Sequence, residues 1–220
     1  MLKDVKLGFK LLKYSYNFKT SMILTIIIFV LGLLLMMIEP DTFVLFGLYS
    51  FIGVLIIVQM STSLLYAQMF SASPKKKKLE LTFSNAVTTA GAVIWYLFLT
   101  VLSQVFSYFR PQLRGEYNVA LIVIGIFMMI CIIYYGACYK YFIVASIIFG
   151  ITFGIVYSIG RTRLTIILME QIGADFAVSF TIGLVIILIS SGIACVMRRL
   201  LYKKPLSPNG MGANLRKAMC

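Results

Sequence analysis

Long uncharged apolar runs, separated by short polar breaks, dominate the chain. The first, Ser21 to Ile38, is 18 residues long. At 1.5 Å per residue such a helix rises about 27 Å, enough to cross a hydrocarbon core. Glu39-Pro40-Asp41 closes it so tightly that the next run, Thr42 to about Ala67, must return as an antiparallel partner. Four further runs follow at about Thr88–Tyr108, Tyr117–Ala137, Tyr141–Ile159 and Phe176–Val196. The pattern predicts an all-α polytopic membrane protein with six spans. Ahead of them, Met1 to Thr20 carries Leu2, Val5, Phe9, Leu12 and Tyr16 at steps of three and four, with Lys3, Lys6, Lys10 and Lys13 interleaved. That periodicity predicts an amphipathic helix lying in the membrane interface. Between spans five and six, Leu164, Ile167, Leu168 and Ile172 share one side of a segment flanked by Gly160 and Gly173, which predicts a short helix at the outer leaflet. Residues 197–220 form a basic tail.

The longest polar break, Ser71 to Asn85, contains Lys75-Lys76-Lys77-Lys78. Each charge would cost about 2.5–3.5 kcal/mol at a bilayer centre, so the segment is expected in water. Lysine-rich loops stay on the cytoplasmic side, and this one sets the orientation of its neighbours. With both termini inside, sixteen basic residues lie on the cytoplasmic side and four (Arg110, Arg114, Arg161 and Arg163) outside. Two uses of the lysines are open: a topology signal that touches anionic headgroups, or an arm gripped by a cytoplasmic partner.

Composition narrows the chemistry. Of 220 residues, 61% are hydrophobic and 12% charged, about half the charged fraction of a soluble domain. The net charge of +13 sits at the ends of apolar runs, where it serves orientation rather than nucleic-acid binding. The chain has no histidine, which removes histidine acid–base catalysis and most zinc and haem ligation. Cys131, Cys138, Cys195 and Cys220 form no CxxC pair, so neither a disulfide framework nor a metal site is expected. There is no phosphate loop of the GxxxxGK[ST] type, no HExxH and no GxSxG. No catalytic or cofactor-binding residue is assigned, and the chain is not expected to be an enzyme.

Within the spans, Ser146, Gly150, Gly154 and Ser158 recur every four residues, a small-residue ridge suited to close helix packing, within the chain or in a dimer. Gln59, Ser61, Thr62 and Ser63 in span two, and Ser103, Gln104 and Ser107 in span three, are the main uncharged polar groups. They serve either interhelical hydrogen bonds or a substrate path. No Asp, Glu, Lys or Arg falls mid-span, whereas ion-coupled carriers keep such a group at depth.

These features together resemble the ABC type-2 transporter permeases, in particular the small bacterial six-span members. The local match is Ser73-Pro74-Lys75-Lys76-Lys77-Lys78-Leu79-Glu80, where the family often carries Leu-Pro and a basic, polar stretch; here Ser73 replaces the Leu and the lysine run is heavier. The resemblance implies a permease subunit of an ATP-driven exporter in the cytoplasmic membrane, working as a homo- or heterodimer with two separate ATPase subunits. Those subunits would bind ATP and magnesium. Pro74, Lys75, Lys76, Lys77, Lys78, Leu79 and Glu80 would be the coupling element, spans two and five would line the route, and the substrate would be amphipathic or hydrophobic. The alternative is a non-transporting scaffold or sensor that docks a cytoplasmic partner through its basic loop.

Overall fold

The computed structural model describes Lys10 and residues 18–38, 53–54, 56–58, 76–138, 140–159, 168 and 175–204. All described elements are helical. The first, α1, spans Phe18–Ile38; α2 spans Ser84–Phe109; α3, Arg114–Cys138; α4, Phe142–Ile159; and α5, Phe176–Leu201. A helical lead-in, Lys76–Lys78, and a π-helical turn, Leu79–Phe83, run directly into α2, and a 3₁₀ turn, Pro111–Leu113, joins α2 to α3. Three helical stretches, Glu80–Phe109, Pro111–Cys138 and Phe176–Leu201, are long and apolar enough to cross a membrane. The chain is an α-helical membrane protein. All of the amino-terminal amphipathic segment but Lys10 and residues 18–20, most of the second span, Ser71 to Lys75, all of the outer segment but Leu168, and the tail beyond Lys204 lie outside the described residues.

The central helix is α3. Val119, Ala120, Leu121, Ile122, Val123 and Ile124, which at about 100° per residue face every side of the helix, are all buried, as are Tyr117, Phe127, Met128, Cys131 and Tyr135. A helix buried on every side has protein neighbours there rather than lipid. By contrast, α1 and α4 expose Ile23, Ile26, Ile147 and Ile151, as helices that face lipid or another chain do.

Paired contacts give the helix directions. Ser103 Oγ of α2 donates to the Tyr117 carbonyl of α3 at 3.2 Å, and Gln104 Nε2 donates to Asn118 Oδ1 at 3.2 Å, while Ser84 meets Tyr135 at the other end. The two helices are therefore antiparallel. Likewise Phe127 packs on Phe153 and Tyr134 meets Ser146, so α3 and α4 are antiparallel. Between α3 and α5 the register is parallel. A Cβ on Gly125 would lie 2.9 Å from the Gly183 Cα, and one on Gly136 would lie 3.2 Å from the Ala194 Cα. Eleven residues separate the small positions on each helix, three turns, so both contacts fall on one seam. Only glycine lets the backbones come this close, which in lipid strengthens dispersion contact.

The small-residue ridge of α4 lies apart from this seam. Among the described residues nothing lies within 4 Å of a Cβ built on Gly150 or Gly154, and Ser158 turns back to the Gly154 carbonyl at 2.8 Å. Ser146 of the ridge reaches α3, at Tyr134. The tight intramolecular seam is Gly125–Gly183 and Gly136–Ala194.

Candidate functional site

The helix directions bring three chain-distant segments to one end of the bundle: the lead-in to α2, the α3–α4 turn, and the end of α5. Lys77 and Lys78 are exposed there. Next to them the π-helical turn directs Glu80 inward, where it is 5% exposed. Such wide turns insert a residue into the helical repeat and re-aim its neighbours, and they are frequent at functional sites.

Glu80 meets two cations. Its carboxylate Oε1 lies 3.2 Å from Lys140 Nζ, and both side chains are nearly dry. Lys140 comes from the turn closing α3, where its own N–H donates to the Ala137 carbonyl at 3.1 Å, and its ammonium also lies 3.5 Å from the Tyr202 carbonyl. The Glu80 backbone carbonyl accepts from Arg198 Nη1 at 3.0 Å. Arg198 is fully buried, and its guanidinium carbon stands 3.7 Å from the centroid of the Tyr135 ring. The ring face offers the cation a quadrupole, worth about 2 kcal/mol when desolvated. The Tyr135 hydroxyl in turn contacts Ser84 Oγ. One acid, two cations and one aromatic ring thus clasp the lead-in to α3, α4 and α5 together.

This clasp corrects the expectation that the whole lysine segment lies in water as a loop. From Lys76 onward it is helix continuous with α2, and Glu80 is buried. The reason is the partner set: a carboxylate leaves water only when countercharge meets it, and Lys140 supplies that. Lys140, in the break between the fourth and fifth apolar runs, is buried for the same reason. Arg198, placed by the apolar pattern in the basic tail after Val196, lies inside a helix that runs on to Leu201. Spacing carries no signal for these contacts, because the partners stand 60 and 118 residues apart in sequence.

Of the proposed coupling residues, Lys76 to Glu80 are helical and Lys77, Lys78 and Glu80 stand at this end, while Pro74 and Lys75 lie outside the described residues. The path candidates Gln59, Ser61, Thr62 and Ser63 also lie outside them. Ser103 and Gln104 are engaged in the α2–α3 hydrogen bonds. Cys131 and Cys138 are buried in the apolar core, and among the described residues no group of three His, Cys, Asp or Glu could hold a metal.

Among the described residues, two hollows adjoin the clasp. A basic vestibule is lined by Lys77, Lys78, Arg199, Lys203 and Tyr202. An apolar cleft of about 480 Å³ runs between α2 and α5 past Ala86, Ala90, Val93, Ile94 and Cys195, and Leu81, Thr82 and Arg199 border both. Inside the cleft the hydroxyls of Thr89 and Ser191 pair across the helices.

Comparison of the chain with protein-family models, with curated proteins and with solved structures returned no match.

Proposed function

We propose that the chain is the permease subunit of an ATP-driven ABC exporter, with six spans, both termini cytoplasmic, and Lys75 to Glu80 as its coupling element. The observation that carries this reading is the clasp: the lysine-bearing lead-in is one rod with α2 and is bound through Glu80 to Lys140 and Arg198. Force applied at Lys77 and Lys78 would reach α2, the α3–α4 turn and α5 together, which is what rigid-body coupling requires. The exposed lysines suit the acidic surface of a soluble motor subunit. The open Gly150–Gly154 ridge of α4 suits a second permease chain, since a small-residue face is wasted against lipid. The cargo in this reading is amphipathic or hydrophobic, drawn from the inner leaflet.

Affinity purification of the tagged chain from native membranes should bring an ATPase with it, and repeated recovery without one overturns the reading. Replacing Lys75 to Lys78 with Ser should then lower the coupled ATP hydrolysis while leaving the insertion topology intact. Gly150→Leu with Gly154→Leu should convert a dimer to monomer in size-exclusion chromatography with light scattering. Retention of the dimer would remove α4 from the interface.

A further inference from the structure

We infer that the vestibule and cleft beside the clasp form a binding site for one anionic phospholipid, its phosphodiester headgroup held at the lysine end and an acyl chain lying between α2 and α5. The vestibule gathers four exposed cations, Lys77, Lys78, Arg199 and Lys203, and among the described residues no carboxylate lines it. Glu80, the carboxylate of this end among the described residues, turns away from it to Lys140. An anion is the complementary headgroup, and basic pockets between membrane helices take phosphate headgroups in this way.

The second half of the argument is continuity. Leu81, Thr82 and Arg199 border the basic vestibule and the apolar cleft alike, so a ligand can occupy both at once. The cleft walls are mostly hydrocarbon, from Ala86, Ala90, Val93 and Ile94. From Leu81 to Ile94 the wall extends about 20 Å at helical rise, against about 15 Å for half a bilayer core. A single acyl chain of one leaflet matches that depth, and the volume lies within the range of about 300–1,000 Å³ usual for small-molecule sites. A solvated anion would leave the cleft unused, and a neutral lipid would bring no negative charge to the basic lining of the vestibule. The proposal concerns the chain alone and holds whether or not a motor subunit binds it.

The test is native mass spectrometry of the purified full chain with phosphatidylglycerol and phosphatidylcholine of identical acyl chains. Phosphatidylglycerol should be retained about tenfold better. The quadruple variant K77Q/K78Q/R199Q/K203Q should abolish that preference. Ala90→Phe, and separately Ala86→Phe, should weaken retention with all four charges in place; the pair guards against one variant failing to fold, checked by its thermal midpoint. Glycerol phosphate at the lipid's concentration should not displace it. Equal retention of the two lipids overturns the proposal. So does an undiminished preference in both folded cleft variants, which would leave only surface attraction, or displacement by glycerol phosphate, which would leave only a headgroup site. Because no ATPase is present, these outcomes are distinct from failure of the exporter reading.

Discussion

Arg198 and Arg199 are neighbours in sequence and opposites in structure. The first is fully buried against the Tyr135 ring and the Glu80 carbonyl; the second is exposed at the vestibule. The same division separates Lys140 from Lys77, Lys78 and Lys203. A step of 100° around a helix is enough to turn one cation into the core and the next toward solvent and headgroups. The inward set holds helices together at a desolvation cost, whereas the outward set faces the surface. A count of basic residues treats both sets alike, which is why the clasp escapes it.

The largest effect that would break this division is loss of an inward partner. Lys140→Met strands Glu80 in a dry site and should cost about 3–5 kcal/mol, read as a lowered unfolding midpoint of the purified chain. Adding Glu80→Gln removes the stranded charge and should recover much of the loss; a double variant as unstable as the single would mean that the ion pair does not explain Lys140. Arg198→Lys keeps the charge but gives up the planar group that lies over Tyr135 and reaches Glu80, and should cost about 1–2 kcal/mol in the same measurement. The smallest effect on stability should come from Lys203→Gln, which leaves the midpoint unmoved. Raising the ionic strength should likewise weaken binding at the outward cations well before it alters the unfolding midpoint, because exposed charges are screened over about 10 Å at 0.1 M salt and buried pairs are not.

A second contrast concerns the small residues. Gly150 and Gly154 form the familiar four-residue spacing, yet their faces are open among the described residues; Gly125 and Gly136 on α3, with Gly183 and Ala194 on α5, form the packed seam. The signal for that seam was present as an eleven-residue interval repeated in two apolar runs. What no single run contains is the pairing, because a small residue permits an approach without naming the helix that makes it.

The helices themselves were legible. Apolar runs with polar closures marked α1 through α5 to within a few residues, because in a membrane an uncharged run of this length has no alternative to the helix that satisfies its backbone. The largest discrepancies lie where charge enters the fold. Helix α5 continues past Val196 to Leu201, and the run into α2 begins by Lys76.

Sequence alone therefore determined that this chain is a membrane protein built of helices, and that its basic residues concentrate beside particular breaks. Those properties depend on the transfer free energy of each segment, which is local. Tertiary structure alone decided which charges are buried, that α3 is the central helix, that α3 and α5 run parallel along a glycine seam, and that a basic vestibule opens into an apolar cleft. Those depend on contacts between residues up to 118 positions apart, and the cost of burying Glu80, Lys140 or Arg198 becomes acceptable only once the others are already in place.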